Sequence, residues 1–178
     1  MHFKANLLLT ALLAGSRVLA DSQCGETSKQ VCFGKDGGQS QDIDPDDIAY
    51  LAGYLREKGT PKAEGDAPIA WTMPPTKSYD CQEWTVFQAG TAMALIKHIT
   101  PKLNSSILQT DIANTIDGGD GATGDALKKS LLGACGKGGG MVGVTVTKDA
   151  PYYASKEFKN ANNSPDGIIV KLVRAPGS

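Results

Sequence analysis

The chain runs to 178 residues with a formal net charge of −1, and its lysines and arginines are scattered along it. Nucleic-acid binding and electrostatic attachment to a membrane surface both need clustered positive charge, so this sequence supports neither. The length suits one domain with room for a sizeable core.

Residues 1–20 begin with His2 and Lys4, continue with an apolar run from Leu7 to Leu13, and end in Val18-Leu19-Ala20. This is the layout of a secretory leader cut after Ala20, and the run is too short to span a bilayer. The mature part, 21–178, is expected to be a single secreted, soluble domain. Lys4 and Arg17 leave with the leader and no acid does, so the net charge falls from −1 to −3. Cys24, Cys32, Cys81 and Cys135 then meet an oxidising compartment, and an even number there reads as two disulfides. Three pairings are open. Long-range ones would tie down the polar segment from Asp21 to Ser40, each contributing about 2–4 kcal/mol by restricting the unfolded chain.

Within 21–42, Lys35-Asp36-Gly37-Gly38 marks a turn and only 31–33 reads as a short strand. Asp44 as N-cap, Pro45 at the first helical position, Asp46 and Asp47 in the first turn and Gly59 after the end predict a helix over 45–58. Ile48, Leu51, Ala52 and Leu55 share one face of it. A β-prone segment, 68–73, stops at Pro74-Pro75. Asp80 and Glu83 fit a capping box, yet Trp84-Thr-Val-Phe87 favours a strand over 83–88, turning at Ala89-Gly90 into a helix over 91–99. Ser105 or Ser106 is expected to cap a helix over 107–116. The glycine-rich run 117–124 reads as a loop, 124–133 as a helix and 133–140 as a flexible loop carrying Cys135. Strands are expected at 142–147, where valines alternate with Gly143, Thr145 and Thr147, and at 168–173. The connection 148–166 would form a flap carrying Tyr152, Tyr153 and Phe158. The sum is an α+β fold, a small antiparallel or mixed sheet with helices packed on one face, stapled by disulfides.

Few residues point to chemistry. His98 is the one histidine left after the leader, placed near a helix end with no evident serine or acid partner, which argues against a nucleophilic triad. CxxC pairs are absent, so no zinc site is expected. Gly138, Gly140 and Gly143 match a dinucleotide fingerprint on paper, but they precede a strand, and no cofactor is expected. Asp117, Asp120 and Asp125 among glycines form a candidate ligand or calcium loop, though their spacing is not that of an EF-hand and a solvated acidic loop accounts for them. Asn104 and Asn162 head glycosylation sequons, the second weakened by Pro165. Trp71 and Trp84 fit a sugar-stacking face less well than core packing.

The leader, the four cysteines and the stretch Gly37-Gly-Gln-Ser-Gln-Asp-Ile-Asp-Pro-Asp-Asp-Ile-Ala-Tyr50 together resemble the small secreted cysteine-containing proteins of filamentous fungi, some of which are effectors acting on a plant host. That resemblance implies a non-enzymatic interaction protein whose partner is an extracellular protein or a cell-wall glycan. Two alternatives stay open: a carbohydrate-active hydrolase drawing two carboxylates from Asp80, Glu83, Asp117 and Asp120, and a lectin-like or calcium-binding module on the 117–125 loop. Neither the partner nor the oligomeric state is readable from the residues.

Overall fold

The computed structural model describes residues 24–63, 65–78 and 81–178. The leader and Asp80 lie outside the described residues. In chain order the elements are β1 (Val31–Cys32), α1 (Pro45–Gly59), β2 (Ala70–Met73), α2 (Pro75–Ser78), β3 (Glu83–Ala89), β4 (Ala92–His98) and β5 (Asn104–Leu108). They continue with α3 (Gln109–Asp117), α4 (Gly124–Lys129), α5 (Leu131–Cys135), β6 (Gly140–Gly143), α6 (Pro151–Ala154), α7 (Lys156–Asn160), β7 (Asn163–Ser164) and β8 (Ile168–Arg174). The fold is α+β. An antiparallel five-stranded sheet has the order β1-β6-β8-β4-β3, and a small mixed sheet has the order β2-β5-β7.

Helix α1 forms as its sequence dictates. The Asp44 carboxylate accepts from Asp46 N at 2.9 Å, Pro45 fixes the first turn, and Arg56 and Lys58 complement the dipole at the other end. Ile48, Leu51, Ala52 and Leu55 are buried against the sheet. Gly59 is the last helical residue, and its role is close approach: a Cβ there would lie 2.9 Å from Thr110 N and from Gln109 Cβ, so α1 and α3 meet backbone to backbone.

The expected helix over 91–99 is strand β4. Ala92, Ala94, Ile96 and His98 face α1 and the core, while Leu95 and Lys97 face outward and pair with outward-facing residues of β8 (Leu95 with Lys171, Lys97 with Ile169). A strand covered on both sides reads as a continuous apolar run, which periodicity does not separate from a buried helix. Gly90 makes the hairpin with β3 possible, with φ +49° at the first position of a two-residue turn. Its Thr91 accepts from Asp44 N through its hydroxyl and donates from amide and hydroxyl to Asp47 Oδ2, each at 2.7 Å, so the turn and the start of α1 are one unit. Those two bonds hold the Asp47 carboxyl below its usual range.

Three other boundaries move. Ser105 and Ser106 lie buried inside β5, and α3 starts only at Gln109, without a side-chain cap. The helix expected over 124–133 breaks at Ser130, whose hydroxyl caps a second helix by accepting from Gly133 N, and α5 then carries Cys135. Strand β6 ends at Gly143, because Thr145 N turns to the Thr115 hydroxyl and Thr147 N to Asp111 Oδ1.

Both disulfides are long-range. Cys32–Cys135 joins β1 to α5 within the core, and Cys24–Cys81 joins the N-terminal arm to the start of β3. The arm begins at the β1 edge, where Ser28 O accepts from Gly143 N, and crosses the outer face of the sheet to reach Cys81 at the opposite edge. On the way Glu26 sits between Lys97 of β4 and Lys171 of β8, at 2.6 and 2.7 Å, and Lys171 also pairs with Glu83. Burial alone would raise the Glu26 carboxyl, but the two ammonium groups outweigh it and hold it below its usual range. Likewise, burial would lower Lys171, and the two carboxylates instead raise it.

Opening either bridge should cost about 2–5 kcal/mol. The double variant Cys24→Ser/Cys81→Ser is expected to melt about 5–15 °C lower than the parent by circular dichroism. Its strand β8 amides, Ile169 above all, should lose hydrogen-exchange protection more than those of α1.

Candidate functional site

Two regions stand out, one polar and buried, the other open. The buried one lies under the flap. Asp111, in the first turn of α3, is almost fully buried: Oδ1 accepts from Thr147 N and hydroxyl at 3.2 and 2.7 Å, and Oδ2 accepts from the Tyr153 hydroxyl at 2.6 Å. The Tyr153 oxygen in turn accepts from Leu108 N at 3.0 Å. Burial and the Asp111 carboxylate push the Tyr153 hydroxyl far above its usual range. A hydroxyl chain runs beside it, Thr72 to Ser106 to Tyr152, each step 2.7 Å. Tyr152, Tyr153 and Phe158 pack edge to face, so the expected flap is two short helices clamped over β5.

His98 does have a serine partner, which its sequence neighbours did not reveal. At the last position of β4, fully buried, its Nε2 lies 2.8 Å from Ser105 Oγ. The Ser105 hydroxyl, however, gives its single proton to Asp166 O at 2.5 Å, so the imidazole nitrogen is the donor in the pair. A base that donates to the hydroxyl cannot remove its proton, and neither group reaches solvent. The pair joins β4, β5 and the turn before β8. Burial lowers the His98 pKa, keeping the ring neutral.

The open region is a depression of about 350 Å³ at the C-terminal end of α1, lined by Gly53, Arg56, Glu57, Thr60, Lys62 and Asp120. Arg56 bridges α1 to α3: Nε donates to Asn114 Oδ1 at 3.1 Å and Nη2 to Asp117 Oδ1 at 2.5 Å. Asp117 also accepts from Gly119 N, which shapes the glycine loop beside it. Glu57 and Lys62 form an exposed pair at 3.0 Å.

The other candidates from the sequence are dispersed. Of Asp117, Asp120 and Asp125, the first is spent on Arg56, the second lines the depression, and the third is exposed at the start of α4. Among the described residues no three acidic, histidine or cysteine side chains converge to hold a metal ion. Glu83 opens β3 on the outer face of the sheet, away from the helical layer that holds Asp117. Trp71 and Trp84 meet edge to face at 6.3 Å and pack on the core. Asn104 is tied inward, donating to Ala161 O and Asn163 Oδ1 at 2.9 and 2.7 Å, while Asn162 is exposed. No protein-family model, curated protein or solved structure matches the chain.

Two outcomes follow. His98 binds a proton more readily unfolded than folded, so its contribution is complete above pH 6.5 and is lost as pH falls below that value. The melting temperature should drop between about pH 6.5 and 5, and His98→Asn should flatten that slope while lowering stability at pH 7. In a eukaryotic secretory host, any N-glycan should vanish from the intact mass in Asn162→Gln and persist in Asn104→Gln, because a glycan on Asn104 would displace the bonds that join β5 to β7.

Proposed function

We propose that this is a secreted, disulfide-stapled protein of the effector type, which acts by binding an extracellular host or cell-wall component rather than by transforming it. The observation that carries the reading is the arm. Cys24, four positions after the expected leader cut, is bonded to Cys81, and Glu26 between two lysines completes a strap across the sheet. A cover fastened by a disulfide suits an oxidising compartment.

Support for binding comes from the employment of the polar groups. Ser105 and His98 bridge three segments, Asp111 anchors the flap, Asp47 fixes the hairpin turn, and Glu83 and Asp117 are ion-paired on opposite sides of the sheet. These are scaffold duties, and the depression at the end of α1 is an open recess beside them.

Produced with its leader in a eukaryotic secretory host, the protein should enter the medium starting at Asp21 with no free thiol. The purified product should be retained on insoluble cell-wall material or on host extracellular proteins, with the bound material recovered unchanged. A cytosolic product still carrying its leader would overturn the reading, as would catalytic release of soluble sugar or peptide.

A further inference from the structure

We infer that the depression at the end of α1 binds a neutral glycan segment, a short run of hexose units. This rests on the binding reading above and gives it a location and a ligand class.

Gly53 is the first argument. It lies in the middle of a 15-residue helix on the solvent side, its φ is not in the left-handed region, and a Cβ added there would meet nothing within 4 Å. Glycine inside a helix lowers its stability relative to alanine, and here neither backbone geometry nor crowding requires it. What glycine does provide is bare backbone on the floor of the depression, open to close approach by a flat ligand.

The second argument is the wall. Arg56 is held with Nε and Nη2 committed, and its Nη1 has no partner among the described residues. Asp120 is exposed and makes no hydrogen bond to them, and Glu57 and Lys62 add an acceptor and a donor at the rim. The signs alternate, so nothing concentrates an anion. A sugar hydroxyl both donates and accepts, which fits donors and acceptors set side by side. Tyr50, three residues before Gly53 and so on the same helix face beside the lining, is 64 % exposed, a polar-tipped aromatic of the kind that favours recognition surfaces. Among the described residues the lining has no aliphatic or aromatic side chain to seat the apolar anchor of a peptide. The volume, about 350 Å³, lies at the small end of the roughly 300–1,000 Å³ range of ligand sites.

The test uses the mature oxidised protein, ¹⁵N-labelled, titrated with neutral hexaoses of β-1,3-glucose, β-1,4-glucose, mannose and N-acetylglucosamine, and with oligogalacturonate as an anionic control. At least one neutral oligomer should shift the amides of Gly53, Thr60 and Gly118–Gly121 together, with the anionic oligomer weaker. A Cβ at Gly53 meets nothing within 4 Å and glycine is a poor helix former, so Gly53→Leu should melt no lower than the parent while weakening binding at least tenfold. Asp120→Ala and Tyr50→Ala should each weaken it several-fold. Absence of shifts at these amides with every neutral oligomer overturns the inference, as does binding that Gly53→Leu leaves intact. If the protein is still retained on wall or host material in those cases, the broader reading stands and only the site falls. If the peptide fraction of host extracellular material, and no sugar, shifts these amides, the ligand class is wrong.

Discussion

Strands β4 and β8 are apolar on both faces, and a sheet of that kind must be covered twice. Helices α1 and α3 supply one cover, burying Ile48, Leu51, Ile112 and Ile116 against Ala94, Ile96, Val170 and Leu172. The outer face, with Ile169 fully buried and Leu95 nearly so, has no helix over it among the described residues and relies on the arm. A short polar arm gains little from its own hydrophobic contacts, so it needs other means to stay down. Glu26 supplies charge complementarity to Lys97 and Lys171, whose burial would otherwise be costly, and Cys24–Cys81 removes the freedom the arm would regain on lifting. The disulfide and the ion cluster are thus two answers to one constraint, the double-sided sheet.

The same constraint explains which parts of the fold were legible in the sequence. Helix α1 was readable to within a residue because its signals agree: a capping aspartate, a proline at the first position, a one-sided apolar face and bases at the end. The strands at 83–89 and 168–174 were readable from β-branched and aromatic content. Strand β4 was not, since Ala92 to Ile99 carries apolar residues at every spacing and its helix-forming alanines outvote the turn at Gly90. Ser105 and Ser106 resemble a helix cap locally, but their hydroxyls are claimed by His98, Asp166, Thr72 and Tyr152, partners up to 61 residues away. Asp111 carries no local signal of its bonding for the same reason, since its partners Thr147 and Tyr153 lie 36 and 42 residues away. The available signal was its place one residue before Ile112, on a helix whose neighbours at 112, 113 and 116 are buried.

Buried polar groups in this protein are almost all connective. Asp111 links α3 to the flap, Ser105 and His98 link β4 to β5 and to the turn before β8, and the half-buried pair of Thr91 and Asp47 links a hairpin to a helix in the same way. Fully satisfied networks of this kind specify one arrangement of the elements, because lifting any partner leaves another unpaired in a low dielectric. The small sheet β2-β5-β7 is short and has little core of its own, and the hydroxyl chain from Thr72 through Ser106 to Tyr152 fastens it to the flap where apolar area is scarce.

That rigidity bears on the binding proposed for the end of α1. The helix is fixed at its start by the Asp44–Thr91–Asp47 unit and near its end by the Gly59 contact with α3, while Arg56 reaches across to Asn114 and Asp117 and shapes the loop that brings Asp120 alongside. A ligand settling there would meet backbone and an Arg56 guanidinium already in position and give up little to order them. The weak point is the exposed Glu57–Lys62 pair, which water competes for and which holds neither side chain firmly. On the glycan reading proposed above, one such site gains on insoluble wall material only from the many repeat units that the polymer presents to it.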